Sequence, residues 1–122
     1  IEIIEREDLC GNAARVGDYL EKRLGELREL PIVGDVRGRR LMMCVEYVKD
    51  KATREKLPDS CNISRHISQA CEEMGLLVRP LGHLDVLSPP LTMTMADVDF
   101  VTGTLRTAIL KVTAELQAEG VI

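Results

Sequence analysis

The run Ile32-Val33-Gly34-Asp35-Val36-Arg37-Gly38-Arg39-Arg40-Leu41-Met42-Met43-Cys44-Val45-Glu46-Tyr47-Val48 decides the fold. It reads as two strands, residues 32–37 and 41–48, passing through Gly38. In the second, Leu41, Met43, Val45 and Tyr47 alternate with Met42, Cys44, Glu46 and Val48. One face is therefore wholly apolar and the other carries a single charge. A strand that is apolar on both faces belongs inside a sheet. Met42, Cys44 and Val48 are then expected to lie open unless another domain covers them.

Upstream, Leu9, Ala13, Val16, Leu20, Leu24 and Leu27 step by three or four and predict a helix that Pro31 ends. Gly11 and Gly17 are the places where that helix is weakest. Downstream, the polar residues 49–60 read as a surface loop. A helix follows, with Ser60 or Asn62 as its cap, Ile63, Ile67, Ala70, Cys71 and Met74 inward, and Gly75 at its left-handed end. Residues 76–79 and 84–87 predict two short strands joined by Pro80-Leu81-Gly82-His83, and Pro89-Pro90 stops the second. Thr94-Met95-Ala96-Asp97 has the form of a capping box with Asp for Glu. It opens a helix with the stripe Val98, Val101, Leu105, Ala108, Val112 and Leu116, ending near Gly120. This order predicts an α+β fold: a two-layer sandwich, an antiparallel or mixed sheet with helices on one face.

The remaining composition excludes more than it assigns. The chain has 122 residues, a formal charge of −4 and 2% aromatics, so neither a phosphate backbone nor stacked bases find a partner, and nucleic acid is not expected. No run approaches the roughly 18 apolar residues of a membrane span, and the charged opening is no secretory signal. Cys10, Cys44, Cys61 and Cys71 form no CxxC pair, and His66 and His83 stand at no ligand spacing from them. They read as reduced, mostly buried thiols of a cytoplasmic protein. No Gly-rich loop cradles a phosphate. Lys22, Lys49, Lys51, Lys56 and Lys111 lie in polar contexts unsuited to Schiff-base chemistry. The chain opens at Ile1 inside an apolar, helix-like run without Met or cap, as an excised fragment would.

Three stretches resemble one family. Residues 33–46 are similar to the "VGDVRGxGLMxGVEL" strand pair of class III, omega-transaminase-like aminotransferases. Residues 71–83 resemble their "GLIxRPLG" strand. Leu87-Ser88-Pro89-Pro90-Leu91-Thr92, with Asp97-Val98-Asp99 beyond, resembles their "SPPL" turn and closing helix. The resemblance implies the small C-terminal domain of a fold-type I, pyridoxal-phosphate-dependent homodimer. The phosphate-binding segment and Schiff-base lysine of that enzyme would lie upstream of Ile1 in a large domain. Residues 1–122 alone are then expected to bind no cofactor and to be inactive. Arg40 and Cys44 depart from the pattern, each standing where the family has Gly or another small residue.

The resemblance also gives Arg79 a role: binding the carboxylate of an amino or keto acid in an enzyme that moves an amino group from an amine or omega-amino acid to a keto acid such as pyruvate. Transamination must accept both kinds of substrate in one pocket, and a guanidinium fork pairs bidentately with a carboxylate. Read without the family, Arg79 ends a strand and faces solvent or a structural glutamate. His83 could line the same loop or merely fill the turn. Arg37 and Asp35 read as a structural ion pair or solvent-facing residues, and Glu46 as the partner of a nearby arginine or backbone group. The competing reading of the whole chain is a free-standing α+β module that binds a small ligand or a partner protein.

Overall fold

The computed structural model describes all 122 residues, Ile1–Ile122. Its elements in order are α1 (Glu2–Arg6), α2 (Leu9–Gly25), a one-turn 3-10 helix (Glu26–Glu29), β1 (Val33–Arg39) and β2 (Met42–Tyr47). After a second 3-10 turn (Asp59–Cys61) come α3 (Ile63–Glu73), β3 (Arg79–Leu81), β4 (Leu84–Leu87) and α4 (Met95–Ala118). The four strands form one antiparallel sheet in the order β1-β2-β4-β3, so β2 is internal, as its two apolar faces require. Val36, Val45 and Asp85 make one register row on the helix side, and Arg37, Cys44, Val86 and Arg79 make the adjacent row on the open side. The fold is α+β with the helices on one face, as the element order predicts. No helix is long and apolar enough to cross a membrane.

A single cluster of 27 buried residues joins the layers. Its helix contribution comes from the predicted stripes: Val16, Leu20 and Leu24 in α2, and Val98, Val101, Leu105, Ala108, Val112 and Leu116 in α4. The Thr94 hydroxyl accepts from the Asp97 amide at 3.1 Å, and the Thr94 amide donates to the Asp97 carboxylate at 3.0 Å, so the capping box is complete. It satisfies two amides that the helix cannot pair itself, typically a stabilisation of about 1 kcal/mol. Both edges of the sheet are closed to further strands. Pro80 removes a donor from β3, while β1 carries a register shift between Val33 and Asp35 and gives its Val36 carbonyl to Arg28.

Several expectations need correction. The predicted helix runs unbroken from Leu9 through Gly11 and Gly17, and Asp8 before it takes a left-handed conformation (φ 49°) that separates it from α1. Asn62 precedes α3 but is itself left-handed (φ 46°), and neither it nor Ser60 provides a side-chain cap. Met74 is exposed, because α3 ends one residue earlier, at Glu73. Val48 is buried instead of open: the chain leaves the sheet after Tyr47, the Val48 amide donates to the Ile32 carbonyl, and the isopropyl group packs on Gly34. Of the cysteines, Cys71 alone is buried. Cys10 is exposed, Cys44 and Cys61 are half-buried, and all four are free thiols.

Arg40 belongs to the tight turn between β1 and β2, not to a strand, and it holds a φ of 51°. Glycine takes that conformation without the cost of a Cβ, typically about 1 kcal/mol or more. The turn also presses on α2. A Cβ added to Gly17 would fall 2.4 Å from the Arg40 Cβ and 2.9 Å from its Cα. Gly17→Ala is therefore expected to cost about 2 kcal/mol in urea unfolding. Adding Arg40→Gly, which deletes one colliding carbon and relaxes the turn, should recover roughly half of that loss. Strictly additive losses in the double variant would show that the two residues do not compete for the same space.

Candidate functional site

The edge hairpin β3–β4 carries Arg79 and is held from α3. The Ser64 hydroxyl donates to the Gly82 carbonyl at 2.7 Å, and the Ser68 hydroxyl to the Val78 carbonyl at 3.4 Å, so one helix grips the strand on both sides of Arg79. The strand begins three residues later than its apolar run implies, because the end of α3 consumes the intervening backbone. The Gly75 amide donates to Glu72 and the Leu76 amide to Cys71, a Schellman closure with Gly75 at φ 88°. Arg79 consequently opens β3 instead of ending it, and Pro80 lies inside an edge strand, where a missing N–H is tolerated.

Arg79 lies on the open face of the sheet, is exposed, and makes no ion pair or hydrogen bond with another side chain of the chain. It opens onto a groove of about 620 Å³ whose walls are mostly apolar, among them Leu77, Val78, Pro89, Pro90 and Phe100. Asp97 also lines the groove but is committed to the capping box, which leaves Arg79 as the only cation there. A cation facing an apolar groove suits an anionic head joined to an apolar body. The other candidates are brought elsewhere. Nε2 of His83 lies 3.1 Å from an Asp59 carboxylate oxygen, and the residue does not line the groove. Arg37 is taken by Asp35 and Glu46, which pairs Glu46 as its isolation on an apolar strand implies.

Two groups beside the hairpin were not legible as functional. Asn12 of α2, half-buried, donates to the carbonyls of Leu91 and Met93 and so reaches the groove wall. Its one signal in the sequence is an amide placed within an amphipathic helix. Asp85, opposite Pro80, is wholly buried on the helix side. One of its oxygens accepts from the Tyr47 hydroxyl at 2.7 Å, and the other has no partner. Burial without a cation pushes the Asp85 carboxyl up to about 7, against the opposing effect of the Tyr47 hydrogen bond. Burial, and next the nearby Asp85, push the Cys71 thiol up to about 12, so it behaves as an inert apolar group.

These features carry family markers in family order. A model of class III aminotransferases matches residues 1–109. The chain is a member of the class III aminotransferase family. It is 37% identical, over 98% of its length, to an uncharacterized aminotransferase of Sinorhizobium fredii, and covers 26% of that protein. It is 38% identical, over its full length, to the diaminobutyrate–2-oxoglutarate transaminase of Halomonas elongata, and covers 27% of it. A pyridoxamine-phosphate-bound aminotransferase of Vibrio fluvialis superposes with a TM-score of 0.91 at 36% identity, over 94% of this chain and 25% of that one. The chain thus spans about a quarter of the length of the class III proteins it matches.

Class III aminotransferases depend on pyridoxal phosphate, whose chemistry requires a lysine amine and a phosphate cradle. The residues of this chain do not fit that group. The groove holds no lysine, and none of the five lysines is buried; Lys49 and Lys111 lie beside Glu55 and Glu73, and Lys51 donates to the Arg28 carbonyl. What the segment presents at the groove is an exposed guanidinium without an ion pair.

Proposed function

We propose that this class III segment is the small C-terminal domain of a pyridoxal-phosphate-dependent transaminase, and that Arg79 binds the carboxylate of its keto-acid or amino-acid substrate. The observation that carries this reading is the state of Arg79: an arginine without an ion pair, on the open sheet face, at an apolar groove. A charge-assisted hydrogen bond from such a fork is typically worth about 1.5–3 kcal/mol. The reaction is transfer of an amino group from an amine or omega-amino acid to a keto acid such as pyruvate. The Halomonas relative, a diaminobutyrate–2-oxoglutarate transaminase, pairs an amino-acid donor with a 2-oxo acid. The large domain and a second subunit would supply the cofactor site and cover the open face, where Met42 and Leu81 are exposed. The 122 residues alone would be inactive.

Arg79→Ala in the full-length enzyme tests the assignment. The kcat/KM for a keto acid is expected to fall about 10- to 100-fold, the equivalent of roughly 1.5–3 kcal/mol. The value for an amine without a carboxylate is expected to stay within about threefold. Equal losses on both substrates would remove the carboxylate role. A cofactor band retained one-to-one by the isolated chain after gel filtration would overturn the division of labour between domains.

A further inference from the structure

We infer that Asn12 is a positioning residue for Arg79: it ties down the segment that lines the groove together with the guanidinium, and so limits the range over which the arginine moves there. The inference rests on the reading of Arg79 as the carboxylate ligand.

The argument begins with what the segment between β4 and α4 lacks. Pro89 and Pro90 have no N–H, so this stretch cannot tie itself down through a backbone ladder. One backbone bond spans it, from the Met93 amide to the Pro90 carbonyl, and the Thr94 amide beyond is used by Asp97. Met93 is buried in the core, and the hydrogen bonds that join the segment to α2 come from Asn12. The single Nδ2 donates to the Leu91 carbonyl at 2.7 Å and to the Met93 carbonyl at 3.0 Å. A primary amide is suited to this task because it presents two donors on one nitrogen. The mounting is firm as well: the Asn12 backbone amide is in the helix ladder, bonded to the Asp8 carbonyl at 2.9 Å.

The segment so held shares the groove with Arg79. Ser88, Pro89, Pro90 and Met93 line the same groove as Leu77, Val78 and Arg79. Arg79 has no ion pair to hold its long side chain, so its range of rotamers is limited by what surrounds it. A wall freed from Asn12 widens that range. The free enzyme then samples the binding geometry less often, and apparent affinity falls in proportion. The prediction is a defect confined to substrates that use the arginine, expressed in KM and not in kcat.

The test compares Asn12→Asp, Asn12→Gln and Arg79→Ala in the full-length enzyme, with a keto acid and a carboxylate-free amine as substrates. Asn12→Asp keeps the shape and loses both donors. It is expected to raise the keto-acid KM about 5- to 20-fold, with kcat and the amine's kcat/KM within about twofold. Asn12→Gln, which retains two donors on a longer stem, should recover part of the loss. If Asn12→Asp fails to fold, Asn12→Ala gives the same comparison without adding charge. Faster amide exchange confined to residues 91–94, with β3–β4 unchanged, would support the mechanism. An unchanged keto-acid KM, or equal losses on both substrates, beside an Arg79→Ala variant that does show the keto-acid defect, overturns the role of Asn12 alone. A normal Arg79→Ala variant overturns the carboxylate reading beneath it.

Discussion

Asp85→Asn is expected to make the chain about 2 kcal/mol more stable at pH 8 and less stable by about as much at pH 4. Asp85 is wholly buried, no cation reaches it, and its titratable neighbours are Tyr47 from β2 and Cys71 from α3. Its carboxyl stands at about 7 in the folded chain, against 3.8 as the ordinary value. Between those limits the folded chain keeps a proton that the unfolded chain has released. The contribution of Asp85 to stability is therefore greatest below about pH 4, falls as pH rises, and levels off above about 7. A displacement of about three pH units corresponds to roughly 4 kcal/mol. Asparagine never ionises and still accepts from the Tyr47 hydroxyl, but its amide hydrogens lack a buried partner, at a cost of about 1–3 kcal/mol. The balance favours the asparagine variant where the wild-type carboxyl is ionised and disfavours it where the carboxyl is protonated. Urea midpoints measured from pH 4 to pH 8 check this. A variant whose midpoint moved with pH as the wild type does would show that another group governs the slope.

Gly38→Ala is expected to destabilise the chain by about 3 kcal/mol or more. Gly38 holds a φ of 127°, outside the range of ordinary side chains. It also pairs with Met43 across the β1–β2 ladder. A Cβ there would lie 2.1 Å from the Met42 carbonyl oxygen and 2.8 Å from the Met43 Cα, both backbone atoms that cannot rotate away. The strand it would displace is internal, bonded to β1 on one side and β4 on the other, so the shift would propagate through the sheet. Gly82→Ala separates the two causes. Gly82 also has a positive φ (62°), but nothing lies within 4 Å of its added Cβ, so about 1 kcal/mol is expected from conformation alone. Equal urea midpoints for the two variants would mean that the ladder absorbs the collision.

The parts legible in the sequence were those set by neighbours along the chain. Alternation in residues 41–48 reports that β2 is apolar on both faces, because side chains point to opposite sides every second residue. The Thr94–Asp97 capping box, the Gly75 helix end and the stripes of α2 and α4 depend on contacts within one or two turns. The family likeness was legible for the same reason, being carried by short turn and strand motifs. Arg79 was visible through its motif, while its placement on the open face at a groove was not.

What only the tertiary structure decided involves partners far apart in the chain. The left-handed Asp8 that separates α1 from α2, and Val48 turned inward onto Gly34, answer to packing that no local pattern encodes. The start of β3 at Arg79 followed from the competing demand of the α3 closure for the Leu76 amide. Asn12 finds its carbonyl partners 79 and 81 residues away, and Asp85 meets Tyr47 across 38 residues. A polar side chain's partner is chosen by which surfaces the packed core brings together. The sequence by itself therefore determined the strands, the helices and the family. The assembly of the sheet against its helices decided which amide holds the groove wall and which carboxyl is left buried without a cation.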